Sequence, residues 1–159
     1  MAVWPPEDVV AVIASLERPS VSGVRWTTSD QWHVTLRFLG DADVDEVRRT
    51  LDEVRAVRTE AALGPRTTRL GRGVLCVPVT GLEDLATAVV DATAALGKPP
   101  DHRTFRGHVT LARVEGRVKP PLADLAPRRW TVATFALVRS HVGGGPARYE
   151  TVQKWNLDG

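Results

Sequence analysis

The tetrapeptide His33-Val34-Thr35-Leu36 occurs a second time as His108-Val109-Thr110-Leu111, 75 residues further along a chain of 159 residues. Both copies lie in segments with the residue pattern of a β-strand, and a charged stretch follows each of them. A spacing close to half the chain is expected of a duplicated unit that folds into two similar lobes. The repeat therefore predicts a pseudo-symmetric protein with one motif strand in each lobe.

Strand geometry places the polar residues of each motif together. Successive side chains of a strand point to opposite faces, so His33 and Thr35 share one face while Val34 and Leu36 share the other. The same alternation applies to the second copy. If the two strands lie side by side, two imidazoles and two hydroxyls converge on one cleft.

Two imidazoles and two hydroxyls suit the in-line displacement at a phosphodiester. One imidazole can take a proton from water and the other can protonate the leaving oxygen, because histidine titrates near neutral pH. The threonine hydroxyls can donate hydrogen bonds to the non-bridging oxygens as negative charge builds there. This chemistry requires no metal ion in principle, and we expect no cofactor.

Two other interpretations of the motifs compete with a catalytic one. A single His-x-Thr triplet arises easily from composition, although the repetition of Val and Leu in strand context makes coincidence a poor explanation. In the other interpretation the histidines are core residues whose hydrogen bonds are satisfied by the threonine hydroxyls. His102 and His141 have no threonine two positions on, and we expect them at the surface.

The rest of the pattern mixes helices and strands in an order that favours an α+β fold. Helices are predicted from Pro5 to Pro19, from Asp43 to about Thr59, and from Leu82 to Leu96 with Gly97 as the stop. Strands are predicted at 24–27 and 32–39 as a hairpin, and at 67–70, 74–79, 108–114, 131–141 and 149–155. Pro78 points to an edge position for the strand at 74–79.

Composition limits the classes of protein to consider. The chain is 43% hydrophobic and 25% charged, which is typical of a globular protein, and its longest apolar run, Val9–Ala14, is far below the roughly 20 residues of a membrane span. Cys76 is the only cysteine, which excludes an intrachain disulfide and favours a cytoplasmic setting. Arginine supplies 18 of the 21 basic residues, but the net charge is only +2. We therefore expect arginines to contact one or two phosphates locally, rather than electrostatic binding along a long nucleic-acid duplex. We expect a monomer, with residues 1–159 forming one domain of two intertwined lobes.

The ordered segments 24–26, 33–40, 105–113, 137–140 and 149–150 resemble the signature of the 2H phosphoesterases, and the resemblance runs over nearly the whole chain. More narrowly, they are similar to the bacterial and archaeal RNA 2′,3′-cyclic phosphodiesterases, also called 2′-5′ RNA ligases. The resemblance implies a bilobal α+β fold with antiparallel sheets lining a central cleft and helices outside. It also implies metal-free hydrolysis of a cyclic phosphate to a 2′-phosphate.

Carried onto this sequence, the resemblance makes His33 the base, His108 the acid for the 3′ oxygen, and Thr35 and Thr110 the phosphate donors. Arg113 matches the family arginine that holds the phosphate. Strict alternation puts Arg113 on the face opposite His108, so this role requires a β-bulge or a strand end. Gly107 departs from the proline that commonly precedes the second histidine in the family.

Three further residues are candidates for substrate contact. Arg37 shares the face of His33 and can contact the RNA backbone, although a solvated strand arginine is an equal alternative. Phe38 and Tyr149 can stack on a base, although core packing is the stronger expectation for Phe38.

These residues leave several functions open. The leading one is opening of 2′,3′-cyclic phosphates at RNA ends, with reversible 2′-5′ ligation of tRNA halves as an associated activity. A second is the same chemistry on a small cyclic phosphate, such as ADP-ribose 1″,2″-cyclic phosphate or a cyclic nucleotide. A third is an RNA-end binding module without turnover. A metallohydrolase is a fourth, disfavoured because no acidic residue stands at ligand spacing from either histidine.

Overall fold

A computed structural model of the chain describes residues 1–101 and 103–159, so His102 lies outside the described residues. The helices are α1 (Glu7–Ala14), α2 (Val44–Asp52) and α3 (Glu83–Ala92). The strands are β1 (Ala2–Val3), β2 (Val24–Trp26), β3 (Val34–Thr35), β4 (Thr59–Leu63), β5 (Thr68–Leu70), β6 (Val74–Thr80), β7 (His108–Val114), β8 (Arg128–Val132), β9 (Thr134–His141) and β10 (Arg148–Asn156).

The strands pair in the order β10-β9-β1-β3-β7-β6-β4-β8, with β2 also on β7 and β5 on β6. Every pairing between these strands is antiparallel, and the two motif strands β3 and β7 are neighbours in the middle of the order. Strands β8 and β9 stand far apart in the order although Ala133 alone separates them in the chain. The sheet must therefore curl until those ends approach each other, which confirms an α+β fold built on a curled antiparallel sheet.

The helices pack on the face of the sheet that the motif histidines do not use. Val34 and Val109, which alternate with the motif residues, are fully buried. They belong to the same core cluster as residues from the inner faces of the helices, namely Val9, Ile13, Val47, Leu51, Leu85 and Val89. One face of the central strands is thereby committed to the core and the other is left for the polar motif side chains.

Helix α2 begins where the sequence predicts but ends earlier. The carboxylate of Asp43 accepts a hydrogen bond from the Glu46 N–H at 2.8 Å, as an N-cap does. The helix ends at Asp52, and the chain beyond it pairs with distant segments: Val57 forms a bridge with Asp158, and β4 pairs with β8 across five residues. Strand pairing over a long sequence distance thus overrides the local helical pattern, and the expected extension to about Thr59 is wrong.

The predicted hairpin at 24–39 does not form. Strands β2 and β3 both pair with β7 and lie end to end along it, with a single 3-10 turn at Ser29–Gln31 between them. A capping box between Thr28 and Gln31 stabilises this turn. The turn interrupts the strand without reversing the direction of the chain.

Two other strand predictions also need correction. The segment 131–141 is divided at Ala133, because β8 pairs with β4 while β9 pairs with β1 and β10. Strand β6 is not an edge strand, since it lies between β7 on one side and β4 and β5 on the other. Pro78 lies beyond the end of β5 and opposite Gly64, the residue that follows β4. Its carbonyl accepts the Gly64 N–H at 2.8 Å. Because the ladder ends there, the missing N–H of the proline costs no strand hydrogen bond.

Candidate active site

The register of β3 and β7 brings the two motifs together. Val34 pairs with Val109 in an antiparallel register, so the register continued by one residue each way sets His33 opposite Thr110 and Thr35 opposite His108. Side chains directly opposite on neighbouring strands lie about 5 Å apart at Cβ and share a face. Each imidazole therefore stands beside the hydroxyl of the other motif.

Both histidines are held by the same local hydrogen bond. His33 Nδ1 lies 2.9 Å from the carbonyl oxygen of Gln31, and His108 Nδ1 lies 2.7 Å from that of Arg106. A carbonyl only accepts, so Nδ1 carries the proton in each ring and Nε2 is the nitrogen left for chemistry. The partners are main-chain carbonyls two residues upstream rather than threonine hydroxyls, which argues against the interpretation of the motifs as core histidines paired with threonine.

His33 is surrounded by aromatic rings. The Trp4 ring centroid is 5.3 Å from that of His33, and the Tyr149 ring meets it edge-on at 4.5 Å. Burial lowers the pKa of His33 below the ordinary 6.5, the hydrogen bond to Gln31 opposes this shift, and the charges of the chain's amino terminus and of His108 add to it. A lowered pKa keeps His33 neutral at physiological pH, as a general base must be.

A β-bulge turns Arg113 toward the histidines. Leu75 pairs with Ala112 and Cys76 with Thr110, so Leu111 is an extra residue on β7. Beyond the bulge the alternation is reversed, which leaves Arg113 exposed while its neighbours on either side are buried. Arg113 lines the same cleft as His33 and Thr35. The structure thus contains the bulge that a phosphate-binding role for Arg113 requires.

Thr27 fastens this bulge. Its hydroxyl donates to the carbonyls of Thr110 and Leu111 at 2.8 and 2.9 Å, and its backbone N–H donates to the Leu111 carbonyl at 2.8 Å. The same hydroxyl accepts the indole N–H of Trp32 at 2.9 Å, one residue before His33. Thr27 therefore connects the start of the first motif to the bulge in the second, a role that has no signal in the sequence.

Arg37 is not available for RNA. It is only 5% exposed, and its two terminal nitrogens donate to the carbonyls of Val90, Leu96 and Lys98 at 2.8, 3.1 and 2.9 Å. These carbonyls lie in and just after the last turns of α3, where carbonyls lack partners within the helix. The expectation that Arg37 contacts the RNA backbone is corrected accordingly.

The two aromatic candidates, Phe38 and Tyr149, line the same cleft as His33, Thr35 and Arg113. Phe38 is 64% exposed, so the expectation of core packing is wrong, and Lys98 Nζ lies 5.4 Å from its ring centre. Tyr149 lies against His33, as described above. Stacking of either ring on a base stays a prediction.

Two hollows lie at the motif strands, one beside each motif histidine. The larger one, of about 720 Å³, is lined by His33, Thr35, Arg113 and Tyr149 among others. The smaller one, of about 330 Å³, is lined by His108 together with residues of β5, β6 and the segment before β7. Each motif histidine thus lines a hollow of its own.

Gly107 is explained by the close approach of β6. A Cβ at Gly107 would lie 2.4 Å from the Val79 carbonyl oxygen, closer than real Cβ contacts. The Gly107 carbonyl accepts the Val79 N–H at 2.8 Å, so the strand cannot easily move away. Any residue with a side chain before His108 needs a wider entry to β7 than this chain has.

Other ionisable groups give no second centre in the described residues. His141 Nε2 lies 3.0 Å from a Glu150 carboxylate oxygen and lines neither hollow. Within residues 1–101 and 103–159, no group of three or more His, Cys, Asp or Glu side chains is placed to hold a metal ion. No helix of that part of the chain is long and apolar enough to cross a membrane.

Comparison with known proteins gives results that agree with this geometry. The family model described as LigT like Phosphoesterase matches residues 3–63, which include the first motif. An RNA 2′,3′-cyclic phosphodiesterase of Thermus thermophilus is 29% identical over 190 residues, covering 99% of this chain and 89% of that protein. One from Geobacillus stearothermophilus is 27% identical over 151 residues, and the match spans 84% of this chain but only about half, 48%, of that relative's length.

A solved structure shows the likeness at the level of the fold. The crystal structure of TT0787 from Thermus thermophilus superposes with a TM-score of 0.83 at 27% identity, covering 99% of this chain and 96% of that one. The curled sheet and its helices therefore match over the full length, including β7. With both His-x-Thr motifs paired on adjacent strands of this fold, the chain is similar in sequence and in fold to the LigT-like phosphoesterases.

Proposed function

We propose that this protein opens 2′,3′-cyclic phosphates at RNA ends to 2′-phosphates by acid–base catalysis. The observation that carries the proposal is the antiparallel register of β3 and β7, which sets each motif imidazole beside the other motif's hydroxyl on a cleft face. The relatives named RNA 2′,3′-cyclic phosphodiesterase support the same substrate class. The RNA ends would include those of tRNA halves, with 2′-5′ joining as the reverse reaction.

The reaction follows from the position of four polar groups. His33 Nε2 takes a proton from water, the water oxygen bonds to phosphorus, and the bond between phosphorus and the 3′ oxygen breaks. His108 Nε2–H gives its proton to that oxygen, so the products are a 2′-phosphate and a free 3′-hydroxyl. The hydroxyls of Thr35 and Thr110 donate to the non-bridging oxygens, and the Arg113 guanidinium balances their charge. These side chains supply the acid, the base and the charge stabilisation, and no step is assigned to a metal ion.

The direct test is incubation with an oligoribonucleotide that ends in a 2′,3′-cyclic phosphate, with and without EDTA. We expect a 2′-phosphate as the only product isomer, because a fixed acid on one side allows one bond to break in line. The rate should be the same in both conditions. A 3′-phosphate product, or a rate that depends on added divalent metal, would contradict the proposed mechanism.

The rate should have a bell-shaped dependence on pH. His33 must be neutral to accept a proton, so the rate should fall at acidic pH, and burial lowers the pKa of His33 from its ordinary value. His108 must be protonated, so the rate falls again as pH rises, and the two limbs belong to the coupled pair. The measurement is kcat/KM between about pH 4.5 and 9, a range that brackets the ordinary titration of histidine. A flat profile over this range, with chemistry limiting turnover, would argue against catalysis by the paired imidazoles.

A further inference from the structure

The smaller hollow beside His108 has no task in the proposed reaction at the phosphate. It has a volume of about 330 Å³ and shares His108 and Gly107 with the entry to β7. This is large enough for a small-molecule group such as a nucleoside. His108 lines this hollow, so a group bound there lies beside this imidazole.

An aromatic residue and two arginines are among the residues that line this hollow, namely Phe105, Arg69 and Arg106. Phe105 is half-buried, packs against the edge of the core cluster, and lines the hollow together with His108. Arg69 Nη2 donates to the Arg72 carbonyl at 2.8 Å, while its Nε is buried without a hydrogen-bond partner in the described part of the chain. Arg106 is exposed at the rim. The acidic Glu83 is already engaged, since its Oε2 accepts the Gly81 N–H at 2.8 Å.

This combination matches a nucleotide rather than a purely apolar ligand. Aromatic side chains stack on bases whatever their sequence, and guanidinium groups bind phosphodiester oxygens. A buried donor without a partner, such as Arg69 Nε, usually has one when the natural ligand or a water is bound. A ring and two arginines in one hollow thus fit a base and the phosphate attached to it.

The structure of the ribose indicates which nucleotide of an RNA end would occupy the smaller hollow. A 2′,3′-cyclic phosphate leaves the base on C1′, next to C2′, and the 5′ chain on C4′, next to C3′. Base and 5′ chain therefore depart on opposite sides of the reacting phosphate. His108 is assigned to the 3′ oxygen, so the hollow that it lines lies on the side of the 5′ chain.

We propose that this hollow binds the nucleotide preceding the cyclic phosphate, through Phe105, Arg69 and Arg106. The proposal rests on the proposed function and makes it more specific: the substrate is an RNA end of at least two nucleotides. The larger hollow takes the terminal base. A mononucleotide cyclic phosphate fills only that larger hollow and is the poorer substrate.

The test compares three substrates: adenosine 2′,3′-cyclic phosphate, its 5′-phosphorylated form, and the dinucleotide ApA ending in a 2′,3′-cyclic phosphate. We expect kcat/KM to rise in that order, with the dinucleotide about 10-fold or more above the mononucleotide, the contribution of one stacked base.

Phe105→Leu keeps an apolar packing group without the ring, and it should remove about 10-fold of the dinucleotide's advantage, as loss of one stacked base does. Arg69→Ala should reduce the advantage of the 5′ phosphate.

Arg117→Ala is the matched control, because this exposed arginine lines neither hollow. It should leave the ratio between the substrates unchanged. Equal kcat/KM on all three substrates, or a Phe105→Leu loss that is the same on all three, would overturn the second site while leaving the proposed function intact. Absence of turnover on every substrate would overturn the proposed function. Calorimetry of the ApA 2′-phosphate product binding to the parent and to Phe105→Leu tests the smaller hollow without any need for turnover. Equal affinities would overturn nucleotide binding in this hollow.

Discussion

Replacing His33 or His108 by alanine is expected to lower the rate of cyclic phosphate opening on the order of 10²- to 10⁴-fold, the contribution of a positioned acid or base. The melting temperature should stay close to that of the parent. Each imidazole is only partly buried, and its hydrogen bond is to a carbonyl two residues upstream, so neither ring supports the core. Activity and thermal midpoint are measured on the same preparations.

The double variant separates joint action from independent contributions. Since the acid and the base act on one displacement, losing both should cost much less than the product of the single losses. His141→Ala is the control: this histidine is partly exposed, pairs with Glu150 and lines neither hollow, so its loss should leave the rate unchanged. If His33→Ala and His108→Ala retain turnover and unfold well below the parent, the motif histidines are structural.

The motif faces could be read from the sequence because strand alternation is a local rule. His33, Thr35, His108 and Thr110 lie on the polar face, and Val34 and Val109 on the buried one, as period-two alternation predicts. The caps and stops of the helices are local as well, such as Asp43 before α2. A structural feature that depends only on residues close together in the chain can therefore be predicted from the sequence.

The features that depend on distant partners left no such signal. Phe38 was expected in the core but lies exposed beside the larger hollow. Arg37 was expected on the surface but is buried, and its guanidinium donates to carbonyls in and after α3. Both residues follow the short strand β3, where alternation no longer decides which side chain is covered. In the same way, the division of 131–141 at Ala133 is caused by pairing with β4 and β1, which belong to other parts of the chain.

Arg113→Ala is expected to lower kcat/KM by about 10²- to 10³-fold, similar to the loss of one preorganised donor to a developing oxyanion. The bulge at Leu111 places this guanidinium in the cleft of His33 and Thr35. No acidic side chain forms an ion pair with Arg113 in the described part of the chain, so its charge is available to the phosphate. Arg113→Lys should recover only part of the loss, because an ammonium group lacks the two parallel donors of a guanidinium.

Arg25 provides the matched control for charge alone. It stands directly opposite Arg113 on β2, is likewise exposed, and lines neither hollow. If Arg113 acted only by adding positive potential near the cleft, Arg25→Ala would cost nearly as much, whereas we expect a change of less than about 3-fold, in line with a screened surface charge. Equal losses in the two variants would refute a direct phosphate contact by Arg113. Loss on Arg113→Ala alone, with an unchanged thermal midpoint, would show that the bulge fastened by Thr27 serves to bring this one side chain to the reacting phosphate.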